Sequence, residues 1–111
     1  MSINDLMKLL EEGTGLPVAY FQFIETDDTP LPSLPNICVV ALDSNNFFAD
    51  DTVYLESENV DIELYTKDKS PSTEAIVKNV LKENNLPFQK NEVWIESQKV
   101  FQITYEVELK L

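Results

Sequence analysis

NVDIELYTKDKSPSTEAIVKNVLKENN, residues 59–85, reads as a strand, a charged turn and a helix, and the rest of the chain is placed outward from it. Val60, Ile62 and Leu64 alternate with Asp61 and Glu63, so a period of two sends the apolar set to one face of a strand and the acids to the other. Tyr65 continues the polar face. Lys67-Asp68-Lys69 breaks the alternation, and Ser70-Pro71 supplies a predicted N-cap hydroxyl followed by a proline, whose missing N–H is harmless in a first helical turn. Thr73, Ile76, Val77, Val80 and Leu81 then recur at helical spacing, while Lys78, Lys82 and Glu83 lie elsewhere on the helix. A helix with one apolar stripe needs a sheet to lie on. Asn84-Asn85 ends it, and Pro87 keeps it ended.

Downstream, Val93 and Ile95 alternate with Glu92, Trp94 and Glu96, which predicts a strand with the valine and isoleucine inward. Two readings of Trp94 stand: it covers the second side of the sheet, or it is a contact residue. Ser97-Gln98-Lys99 makes a turn. Phe101, Ile103, Tyr105, Val107 and Leu109 then alternate with Gln102, Thr104, Glu106 and Glu108, the cleanest strand pattern in the chain and one that predicts a half-exposed antiparallel strand.

Upstream, Ser2 and Asp5 resemble a capping box opening a helix from Ile3 to Glu12, with Ile3, Leu6, Met7 and Leu10 on one face. Gly13 and Gly15, the two glycines of the chain, suit the left-handed cap and turn that follow. Val18 to Ile24 is aromatic and β-branched, as a strand should be. From Glu25 to Asn36, Pro30, Pro32 and Pro35 fall among acids and hydroxyls and predict an extended loop, either a partner-binding arm or a plain crossover. Asn36 to Asp43 is an unbroken apolar run, expected to be a strand covered on both faces. Asp43 to Asp51 reads as a polar turn carrying Phe47 and Phe48. A calcium loop is not supported there, because its sixth and twelfth positions hold Phe48 and Tyr54 instead of glycine and glutamate. One of the two phenylalanines can tuck under the sheet and leave the other as an anchor for a partner, or both can pack in the core. Thr52 to Glu56 is a further strand, which joins Val60–Tyr65 through a hairpin or as one long bent strand.

The order is helix, four strands, helix, two strands: an α+β domain spanning residues 1–111, with a mostly antiparallel sheet and two helices packed on one face. With 43% hydrophobic and 25% charged residues, the chain can bury a core at its length of 111 residues. Twenty acids against eight basic residues, all lysine, give a formal charge of −12, which repels nucleic-acid phosphates and anionic membranes. No segment reaches the length of a membrane span and the N-terminus is unlike a signal peptide, so the expected compartment is the cytosol. The chain has no histidine and one cysteine, Cys38, within a strand-like apolar run. Cys–His and Ser–His–Asp chemistry is therefore excluded, the glycines for a phosphate loop are lacking, and Glu11-Glu12, Asp27-Asp28 and Asp50-Asp51 are read as solvated pairs. The expectation is a protein that is not an enzyme and has no cofactor or metal, its default role being protein–protein assembly through sheet edges.

Leu16-Pro17-Val18-Ala19-Tyr20, Asn45-Asn46-Phe47-Phe48-Ala49-Asp50, Val60-Asp61-Ile62-Glu63-Leu64-Tyr65-Thr66-Lys67, Trp94-Ile95-Glu96-Ser97 and Gln102-Ile103-Thr104-Tyr105-Glu106 together resemble the tail terminator, or tail completion, proteins of siphophages and prophages of Gram-positive bacteria. The resemblance runs in order from Leu16 to Glu108 and implies a structural protein without chemistry. It implies a ring of six subunits that sits on the end of the tail tube, stops polymerisation and joins tail to head. The implied partners are further copies of the chain, the major tail tube protein and the head–tail connector, first in the host cytoplasm and then at the head–tail junction of the virion. Phe47, Phe48, Asp50, Pro30, Pro32 and Trp94 are the expected interface residues. DNA would pass through such a ring, and carboxylates lining it would repel the phosphates; simple solubility is the alternative account of the acidity. Competing readings are a head–tail connector or stopper of the same region, an acidic DNA mimic that inhibits a host enzyme, and a dimeric secretion-type chaperone.

Overall fold

The computed structural model describes residues 1–21, 33–49 and 52–110, with 43–49 and 52–56 described as backbone. In chain order they form α1 (Ile3–Thr14), β1 (Val18–Tyr20), β2 (Asn36–Ala49), β3 (Thr52–Thr66), α2 (Pro71–Glu83), β4 (Phe88–Ile95) and β5 (Val100–Lys110). The strands make one sheet in the order β1-β2-β3-β5-β4. Only the β1–β2 pair is parallel, so the fold is α+β with a mostly antiparallel sheet. One strand fewer than expected precedes α2, because Thr52–Glu56 and Val60–Tyr65 belong to a single fifteen-residue strand.

Both ends of α1 follow from the sequence. The Asp5 N–H donates to Ser2 Oγ at 3.1 Å and the Ser2 N–H donates to Asp5 Oδ2 at 3.2 Å, a capping box that holds the Asp5 carboxyl below its usual range. At the other end Gly15 adopts φ 72°, where its N–H reaches Glu11 O at 2.9 Å. The helix runs to Thr14, two residues past the expected end, and the Thr14 hydroxyl donates to Leu10 O at 2.6 Å.

Gly13 is therefore helical, and its place is set by packing. A Cβ there would lie 2.7 Å from Val80 Cγ2, so α1 and α2 approach through the missing side chain. Gly13→Ala gains up to about 1 kcal/mol of helix propensity. Overpacking against a stiff valine costs about 1–3 kcal/mol, so the net effect is a loss. Val80→Ala removes the obstacle. In urea denaturation the Gly13→Ala/Val80→Ala pair should be no less stable than Val80→Ala alone; strictly additive losses would contradict the close approach.

The core lies between the sheet and both helices. Leu6 and Leu10 of α1 and Val77, Val80 and Leu81 of α2 close over Ile37, Val39, Val60, Ile62, Leu64, Ile103 and Tyr105. The strand alternation in β3 and β5 is as expected, with Val60, Ile62 and Leu64 buried beside Ile103, Tyr105, Val107 and Leu109. Helix α2 is turned from its predicted setting: Ile76 is 44% exposed, and Glu74 takes a buried position one turn before Val77 and two before Leu81. Ser70 stands at the N-cap position, but its hydroxyl pairs with Thr73 Oγ1 at 2.8 Å and caps no backbone N–H.

The predicted polar turn over Asp43–Asp51 is also corrected. Strand β2 stays paired with β3 through Phe47↔Leu55, Phe48↔Val53 and Ala49↔Thr52, which leaves 50–51 to connect them. The β-forming run Thr52–Leu55 supplies a ladder for backbone that the asparagines and acids had suggested was loop. The register shifts between Ala41 and Asp43, where Leu42 bulges out, and again between Phe47 and Phe48.

Candidate functional site

Helix α2 is fixed to the sheet by a charged network whose central member the sequence pattern did not reveal. Glu74 is almost fully buried, with Lys69 Nζ 2.7 Å from Oε2 and Lys90 Nζ 2.6 Å from Oε1. Lys69 also pairs with Glu92, and the Tyr105 hydroxyl donates to Glu74 O at 3.0 Å. The turn before α2, the helix, β4 and β5 meet at this one residue. Lys90 and Glu92 share a face with Tyr105 and Ile103 through their register pairs, which is how an edge strand reaches the underside of α2. Burial opposes ionisation of Glu74, yet the hydrogen bonds from Lys69 and Lys90 outweigh it and hold the carboxyl below its usual range.

A lowered carboxyl pKa adds stability that is present above the unfolded value and is lost as pH falls through the folded one. Glu74→Gln should therefore melt below the parent at pH 7, and the gap should close as the solution is acidified through the carboxylate range. A gap that stays constant with pH would show that the pairs with Lys69 and Lys90 do not stabilise the fold.

Among the described residues, two unlike edges bound the sheet. At the β1 edge Tyr20 is half exposed and Phe21 is 62% exposed; Phe21 holds φ 69° while its N–H donates to Val39 O at 2.8 Å. A bulky residue at positive φ is rarely populated, and here it follows the last paired residue of β1. At the β4 edge, Trp94 is 44% exposed and packs against Phe101 with ring centroids 4.7 Å apart and the rings tilted by 58°. Its Nε1 donates to Glu96 Oε2 at 2.6 Å, and this bond together with one from Lys99 holds the Glu96 carboxyl below its usual range.

Trp94 does not cover the second side of the sheet. Its register partner Phe101 lies on the same face as Ile103 and Tyr105, so the indole stands on the helix-bearing side at the end of β4. Val93, expected inward, is exposed on the opposite face instead. The sequence pattern failed here because β4 is an edge strand whose helix-side positions, Lys90 and Glu92, are charged.

Among the described residues no strand or helix lies over that opposite face. Asp61 and Glu106 are direct cross-strand partners on it, with Glu63 and Tyr65 along β3 and Thr104 and Gln102 along β5. Burial, and then Glu106, pushes the Asp61 carboxyl above its usual range; burial does the same to Glu63, against a hydrogen bond from Tyr65. The Tyr65 hydroxyl donates to Glu63 Oε1 at 3.0 Å, and burial followed by Glu63 pushes its own pKa well up. Cys38 is buried on this side of β2. No group of three or more Cys, Asp or Glu among the described residues is arranged to hold a metal ion.

The other expected interface residues divide by position. Pro30, Pro32 and Asp50 lie outside the described residues. Phe47 and Phe48 are placed by backbone register on the ribbon that β2 and β3 form beyond the end of β5, whose last partner on β3 is Ser57. Tyr20, Phe21 and Leu42 are exposed apolar residues that strand pattern alone did not single out, since a short edge strand and a bulge leave no mark in periodicity. No protein-family model matches the sequence, and no curated protein matches it significantly.

Proposed function

We propose that the chain is a tail terminator subunit, which closes into a ring on the end of a siphophage tail tube, stops its polymerisation and joins the tail to the head connector. The observation that carries the assembly part of this reading is the pair of unlike sheet edges, each ending in exposed aromatic residues: Tyr20 and Phe21 at β1, Trp94 at β4. A contact that uses two different surfaces is heterologous, and with a fixed rotation it closes into a ring. A second support is the ribbon of β2 and β3 beyond Ser57, which pairs with no third strand among the described residues. A lone two-stranded ribbon is marginal in water, so this one is suited to lie against a neighbour. The position on a tail tube rests on the sequence resemblance.

The test is to add the purified protein to a siphophage major tail protein as it polymerises and to measure tube length by electron microscopy. Shorter tubes with added density at one end are expected. Tubes of unchanged length and bare ends would overturn the reading.

A further inference from the structure

We propose that the face of the sheet that no helix covers among the described residues, centred on Asp61 and Glu106, docks a protein surface rich in lysine or arginine. This inference goes beyond the terminator reading and does not depend on it.

The geometry sets an unusual demand. Asp61 on β3 and Glu106 on β5 sit directly opposite each other in the ladder, a placement that is unfavourable for like charges. Neither has a lysine beside it to offset the repulsion: Asn91 Nδ2 reaches Glu106 Oε1 at 3.4 Å, and Asp61 Oδ1 is shielded from water without a hydrogen-bond donor among the described residues. Lys90, next to the register partner of Glu106 on β4, is committed to Glu74 on the other side of the sheet. A carboxylate oxygen withdrawn from water and left without a donor costs free energy, and a cation delivered from outside removes that cost.

The surroundings fit such a cation. An open groove of about 620 Å³ runs between Leu42, Asp61, Gln89 and Glu106. Leu42, thrown out by the bulge, gives the groove an apolar wall that can take the methylene stem of a lysine or arginine while the carboxylates take its head. Charge decides the class of partner. Nucleic acid and a second copy of this acidic face are repelled, and a basic protein surface is attracted.

The probe is a short peptide of alternating lysine and valine, titrated calorimetrically into the full chain at fixed salt. Two double variants remove the same charge from different places: Asp61→Asn with Glu106→Gln on the sheet face, and Glu11→Gln with Glu12→Gln on the exposed side of α1. The first pair relieves a like-charge contact with near-isosteric groups, so it should fold, and thermal melts of both variants check this. The expected result is measurable binding by the parent, unchanged binding by the α1 variant and a loss of about tenfold or more by the sheet-face variant. Equal losses in both variants would mean that net charge alone attracts the peptide, and no binding by the parent would mean that the face docks nothing basic. Either outcome overturns the proposal.

Discussion

Replacing Leu64 by alanine should remove about 2–5 kcal/mol of stability, a large part of the 5–15 kcal/mol typical of a folded domain. Leu64 has no exposed surface and sits on the central strand, between Ile37 of β2 and Ile103 of β5, under both helices. Truncation there loses the transfer of a buried side chain and leaves a cavity that three paired strands cannot collapse to fill. Leu42→Ala is the matched comparison, since the same side chain at the bulge is mostly exposed and its loss should stay within about 0.5 kcal/mol. Urea denaturation of the two variants reads the difference directly. Similar midpoints would contradict the assignment of the core.

The second large effect concerns assembly. Phe47→Ser combined with Phe48→Ser should abolish ring formation and tube capping while the domain still folds. Both positions lie on the ribbon beyond Ser57, opposite Leu55 and Val53, away from the five-stranded part of the sheet where the core is. Light scattering and tube-length measurements read assembly, and circular dichroism reads the fold. Normal rings and normal capping by the double variant would remove these residues from the interface, and a variant that fails to fold would show that the ribbon belongs to the core.

The parts of the fold that could be read from the sequence are those where one element meets water on one side and the core on the other. Val60–Leu64 and Ile103–Leu109 are of this kind, and both alternate as the structure has them. The α1 cap was legible because Ser2 and Asp5 act on backbone within three residues of each other. What was not legible depends on distant partners. Glu74 looks like a surface residue in its own turn, and only the approach of Lys69 and Lys90 lets it be buried while Ile76 turns outward. Asp43–Ala49 reads as a turn until Thr52–Leu55 is folded back to pair with it. Trp94 and Val93 exchange sides for a similar reason, because α2 recruits Lys90 and Glu92 from the same strand. Of the expected interface, Trp94 could be judged as an exposed aromatic from its polar neighbours, whereas Tyr20 and Phe21 owe their exposure to the early end of β1.

The measurement that bears most directly on the proposed ring is the mass of the purified chain in solution, by light scattering over a range of concentrations with negative-stain images of the same samples. The ring reading predicts a closed species of about six subunits, a heterologous contact repeated until it meets itself. A stable dimer at every concentration would contradict it, because a two-fold contact uses one self-complementary surface and leaves the unlike edges at β1 and β4 without a common role.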